Sequence, residues 1–82
     1  MTRQDVFDGL KEVLAVIRPN TDISNVGFDT ELVAGLGIDS LSMMLLALAS
    51  EEKFEMRFPD GVAMPKTIGE VCDAVLKARG EA

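Results

Sequence analysis

The residues able to do chemistry in this chain are few. Ser40 stands between Asp39 and Leu41 in the stretch LGIDSLSMM, after a glycine-containing turn and ahead of a long apolar run. A serine hydroxyl is a weak nucleophile unless a neighbouring group activates it. The sequence has no histidine and one cysteine, Cys72. That removes Ser-His-Asp triads, histidine acid–base catalysis and histidine-ligated metals. A single thiol also excludes thiolate metal cages and an internal disulfide. Carboxylates remain, but no two are paired in a way that suggests acid–base work. No catalytic residue and no metal ligand is therefore assigned, and the expectation is a protein that is not an enzyme.

Two roles are open to Ser40. Aspartate and serine are good helix-starting residues, because their side-chain oxygens accept from unpaired backbone N–H groups. On that account Asp39-Ser40 is only a cap. The same physics allows more. A helix N-terminus carries partial positive charge and free donors, so it tolerates a phosphate on its first residue. A serine exposed there is a good place for a phosphodiester, and Leu41, Met44, Leu45 and Leu48 beside it would give a partner enzyme an apolar grip.

The elements that position Ser40 are read from periodicity. Residues 4–18 carry Val6, Leu10, Val13, Leu14 and Ile17 at helical spacing, with Thr2 or Asp5 at the start and Pro19 as the stop. Residues 19–39 read as a long first loop. Its apolar members Ile23, Val26, Phe28, Leu32, Val33 and Leu36 predict that it packs over the helices, with a short helical turn possible near Thr30 to Val33. Residues 40–53 read as a helix that is apolar on two sides. Leu41, Met44, Leu45 and Leu48 form one side, and Met43, Leu46, Ala47 and Phe54 the other. In a chain of 82 residues a helix can hardly be buried all round, so one side should face a partner. Phe54 and Phe58 then tuck inward from an extended connector. Pro59 suits the start of a short helix running to about Met64. Thr67 and Glu70 form a capping box before the stripe Ile68, Val71, Cys72, Val75 and Leu76, and Gly80 ends that helix. The fold class is all-α: a small antiparallel four-helix bundle, three helices longer and one short, with residues 1–82 as one domain.

The charge balance is 8 basic against 14 acidic residues, a net of −6. That disfavours nucleic acid and anionic membranes and favours partners with basic patches. The longest nearly unbroken apolar stretch, residues 41–49, is too short to span a bilayer. Met1 leads straight into polar residues, with no secretory pattern. The expected address is cytoplasmic, and the expected state a monomer.

Beyond these readings, the chain resembles the acyl carrier proteins along nearly its whole length. The resemblance rests on the first amphipathic helix, the long loop, and Asp39-Ser40-Leu41 opening a helix at mid-chain. Phe54 then follows 14 residues after the serine, Pro59-Asp60 comes next, and a final Thr67-Ile68 helix completes the pattern. It implies that Ser40 is esterified to 4′-phosphopantetheine by a phosphopantetheinyl transferase using coenzyme A. The arm's thiol would carry acyl groups as thioesters to acyl- or aminoacyl-loading enzymes and synthase components. Asp39 and Leu41 would be read by the transferase and other partners, together with Met44, Leu45 and Leu48. Met43, Leu46, Ala47, Phe54 and Val71 would line a space for the acyl chain.

The sequence departs from the fatty-acid members in one respect. After Asp39 no acid appears until Glu51, whereas their second helix is usually acidic. The electrostatic grip is therefore weaker and the apolar grip stronger. That points to a specialised polyketide, non-ribosomal peptide or lipid-like pathway. The alternatives are a housekeeping fatty-acid carrier and a helical interaction module with no arm.

Overall fold

The computed structural model describes residues 1–59 and 64–81. Four helices occur among these residues: α1 (Arg3–Ile17), α2 (Val33–Leu36), α3 (Ser40–Lys53) and α4 (Ile68–Ala78). No strand is present among them, and the all-α bundle expected from periodicity is the observed architecture. α1 packs against both α3 and α4. Two of the helical spans agree with the pattern to within a residue. The short helix expected from Pro59 to Met64 falls on residues 60–63, outside the described residues.

The helix starts follow from local chemistry. Thr2 caps α1 through a reciprocal box: its side chain accepts from the Asp5 N–H at 3.1 Å, and Asp5 Oδ2 accepts from the Thr2 N–H at 2.9 Å. At α4 the expected box is only half made. Thr67 Oγ1 accepts from the Glu70 N–H, but the Glu70 carboxylate takes the Thr67 hydroxyl at 3.2 Å rather than the backbone N–H.

The core is one apolar cluster, mostly aliphatic. Val6, Leu10, Val13 and Leu14 come from α1, Met43 and Leu46 from α3, and Ile68, Val71, Cys72 and Val75 from α4. Fully burying a side chain of this kind stabilises by about 1.5–3 kcal/mol. Several such residues are needed, because a chain this short buries a modest share of its surface.

The long loop is fastened to the helices at several points. Leu32 and Ile38, on either side of α2, are both buried. Phe28 packs on Phe7 with ring centroids 4.7 Å apart and the rings tilted by 38°, and the Arg3 guanidinium lies over the Phe28 ring at 4.4 Å. An isolated antiparallel bridge joins Glu31 to Thr67, with the Leu32 N–H donating to the Lys66 carbonyl at 2.8 Å and the Ile68 N–H to the Thr30 carbonyl at 3.0 Å. Val33 is the exception among the expected anchors: it faces solvent, and Ile38 takes the buried place instead.

The far pole of the bundle is tied by charge. The Met1 ammonium meets Glu81 at 2.7 Å, and the Arg79 guanidinium donates to the Phe54 carbonyl at the end of α3.

The Phe54 ring packs against α1 where Gly9 has no side chain. A Cβ at Gly9 would meet the Phe54 ring at 2.7 and 2.8 Å. Gly9→Ala removes a helix-weakening glycine, a gain of about 0.5–1 kcal/mol. It also forces a buried ring to move, which costs about 1–3 kcal/mol. The net expectation is a less stable protein, checked by urea unfolding. A Gly9→Ala variant with a higher midpoint than the parent would contradict this packing.

Candidate functional site

The chain enters α3 through a fixed turn. Gly37 adopts a left-handed conformation (φ 68°) that closes α2, and its N–H donates to the Val33 carbonyl. The next residue, Ile38, is buried and also donates its N–H to the Leu32 carbonyl at 3.1 Å. A left-handed residue followed by a buried anchor fixes where the following two residues emerge.

Those two residues divide the work. Asp39 is extended (φ −84°, ψ 178°) and is the cap: its Oδ1 accepts from the Ser42 N–H at 2.8 Å. Ser40 is the first residue of α3 and is exposed. Its hydroxyl is not used as the cap, and no hydrogen bond to it is found among the described residues. The first rung of the helix is the Met43 N–H to the Asp39 carbonyl at 2.9 Å, so the N–H groups of Ser40 and Leu41 remain available. An exposed hydroxyl beside free donors fits a phosphodiester.

Arg18, at the end of α1, meets this turn. Its Nη1 donates to the Ser42 hydroxyl at 3.5 Å, and its Nε to Thr21 at 3.4 Å. The Asp39 carboxyl is held below the usual carboxylate range, first by the Ser42 N–H and the Ser42 side chain, while burial opposes the shift and the Arg18 charge adds to it. Arg18 has no periodic signal in the sequence. Its partner lies 24 residues away, so only the fold brings it to the site.

α3 presents the two expected faces. Met43 and Leu46 are buried, while Leu41, Met44, Leu45 and Leu48 are 65, 58, 43 and 56% exposed. On the buried side a cleft of about 440 Å³ opens between α3 and α4, within the size range of small-molecule sites. Met43, Leu46, Ala47 and Val71 line it, as the spacing suggests. Phe54 does not, because its ring is taken up over Gly9. Phe58 and Met64 border the cleft, and Ser50 belongs to its floor.

Cys72 is fully buried on α4. Burial pushes its thiol up to about 11, with Arg3 lowering it less than burial raises it. Very little thiolate forms near neutral pH, so this residue is a small core group. Among the described residues, no three acidic, cysteine or histidine side chains gather as metal ligands, and no helix is long and apolar enough to cross a membrane.

Known proteins resemble this arrangement along the chain. A family model described as "Phosphopantetheine attachment site" matches residues 5–75. An acyl carrier protein of Acidothermus cellulolyticus is 31% identical over 81 residues, covering 95% of this chain and 93% of its own. One from a Sulfurovum species is 40% identical over 70 residues, 85% of this chain and 89% of its own. A meromycolate extension acyl carrier protein of Mycolicibacterium smegmatis is 31% identical over 81 residues, 98% of this chain and 81% of its own.

The Asp39 cap has a pH signature. A carboxyl depressed in the fold contributes stability above its ordinary value, and that contribution fades as pH falls through the depressed one. The Ser42 amide resonance should therefore titrate with a midpoint below the free-aspartate value of about 3.9. A midpoint at or above that value, followed by NMR, would show that the cap does not form in solution.

Proposed function

The chain belongs to the phosphopantetheine-attachment family of acyl carrier proteins, and we propose that Ser40 is the residue that bears its arm. Members of this family are non-catalytic carriers with a covalently attached 4′-phosphopantetheine. The arm supplies a terminal thiol that holds acyl groups as thioesters.

One observation carries the choice of Ser40: Asp39 holds the cap, so the serine hydroxyl at the helix start is exposed and uncommitted. A phosphopantetheinyl transferase would supply the base that takes the serine proton. Ser40 Oγ then attacks the coenzyme A phosphorus nearest the pantetheine. The new O–P bond forms as the adenosine bisphosphate portion leaves. The free N–H groups at the start of α3 and the nearby Arg18 charge would offset the added negative charge, to which Asp39 contributes repulsion.

The finer reading concerns partners. The exposed stripe Leu41, Met44, Leu45 and Leu48 replaces charge with apolar area on the face beside Ser40. We assign that face, with Asp39, to the transferase and to the loading and synthase enzymes of a specialised pathway, polyketide, non-ribosomal peptide or lipid-like. The carrier would work as a cytoplasmic, single-domain monomer. Efficient loading by a housekeeping malonyl transferase, with poor loading by every pathway enzyme, would overturn the specialised assignment.

Two measurements test this reading. The first is the intact mass after incubation with coenzyme A, magnesium and a broad-specificity transferase. The expected result is a gain of one phosphopantetheine, absent in Ser40→Ala. No gain in a folded sample, across several transferases, would leave Ser40 as the plain start of a helix and the apolar face as a binding module. The second is the salt dependence of the transferase reaction. An apolar grip predicts a KM that changes little between low and high salt, and a Leu45→Ala variant whose KM is raised by roughly tenfold. A KM that climbs steeply with salt and ignores Leu45 would assign recognition to charge instead.

A further inference from the structure

Ser50 is the one described residue whose buried side-chain oxygen finds no partner. It sits in the third turn of α3, fully buried, and its hydroxyl makes no hydrogen bond. Serine inside a helix commonly donates to the carbonyl four residues back, here that of Leu46. That bond is not made. An unpaired hydroxyl in an apolar interior is destabilising, and alanine at the same place would carry no such penalty. The position is not peripheral: Ser50 lies in the floor of the cleft between α3 and α4, among Met43, Leu46, Ala47 and Val71. Two carboxylates, Glu70 and Asp73, also border the cleft, and both residues are exposed. The floor is thus apolar apart from a single unused hydroxyl.

We propose that Ser50 is a specificity-determining residue that donates a hydrogen bond to an oxygen function on a sequestered acyl chain. The cleft then takes chains bearing a keto or hydroxyl group in preference to saturated ones. A saturated chain fills the apolar part and leaves the hydroxyl unpaired. A keto oxygen at the right depth completes it. Ser50 lies ten residues beyond Ser40, about 15 Å along the helix, so the pairing depends on how far along the chain the oxygen sits. This inference deepens the proposed function and rests on an arm at Ser40.

The test uses the whole protein, loaded by a phosphopantetheinyl transferase from acyl-coenzyme A thioesters. Three cargoes are compared: octanoyl, β-oxooctanoyl and δ-oxooctanoyl. Wild type and Ser50→Ala are each loaded, and intact mass confirms the arm before anything else is read. In the wild type at least one keto cargo should raise the thermal midpoint above that of the octanoyl form by about 4–8 °C, one hydrogen bond's worth in a domain of this size. In Ser50→Ala that difference should vanish, and the form with an empty arm should melt higher than its wild-type counterpart. The ¹³C shift of a labelled ketone should move downfield in the wild type and not in the variant. An equal keto preference in both proteins, no preference in the wild type, or an empty-arm Ser50→Ala that melts lower would each overturn the assignment to Ser50. Failure of the arm to attach in the first step would instead remove the reading of Ser40, and this inference with it.

Discussion

The hydrogen bond from the Ser42 N–H to the Asp39 carboxylate is the contact on which the rest of the site depends. A helix must satisfy its first N–H groups, and aspartate does this as well as any residue. Because Asp39 supplies the cap from just outside the helix, the following serine is relieved of that duty. The same bond sets the direction in which α3 leaves the loop. Its geometry is prepared upstream, by the left-handed Gly37 and the buried Ile38, and braced from α1 by Arg18. Ser40 is thus placed by backbone constraints rather than by an activating side chain, as suits the proposed modification by another protein's chemistry.

A helix apolar on two sides creates a problem that the long loop and α4 solve together. Two other long helices, α1 and α4, cannot enclose all of α3, and the core they share needs further cover. Leu32 and Ile38 join that core from the loop, Phe28 closes it over Phe7 of α1, and the bridge between Glu31 and Thr67 secures the loop to the start of α4. What remains outside is a stripe of four large apolar side chains next to Ser40. The arrangement places an exposed apolar face beside Ser40 and a cleft on another side of the same helix.

Much of this was legible in the sequence because it depends on short-range patterns. The stripe of α1, the two faces of α3, and Thr67 before Ile68 are each set within a few residues, and they appear where their spacing places them. The parts that escaped depend on distance in the chain. α2 is a single turn, too short to have a periodicity, and the helical turn expected near Thr30 to Val33 forms three residues later, at Val33–Leu36. Ile38 is one apolar residue between a glycine and an acid, and only the fold shows that it is buried while Val33 is not. Phe54 has the right phase to line the cleft, but the missing side chain at Gly9 draws its ring to α1. Arg18 gains its meaning from Ser42, 24 residues away. Ser50 reads as an ordinary polar residue near a helix end until its burial and lack of a partner are known.

The tie between Met1 and Glu81 has a consequence for how the molecule can be handled by its surroundings. α1 runs 15 residues from the Met1 end to the Arg18 end, about 22 Å of helix, and Arg18 touches the Ser42 turn. Met1 and Glu81 thus meet at the pole far from Ser40. A tether at either end, whether a surface, a tag or another folded unit, holds the bundle by its back. The serine pole is left uncovered, so a tether and a partner at Ser40 would not compete for the same surface.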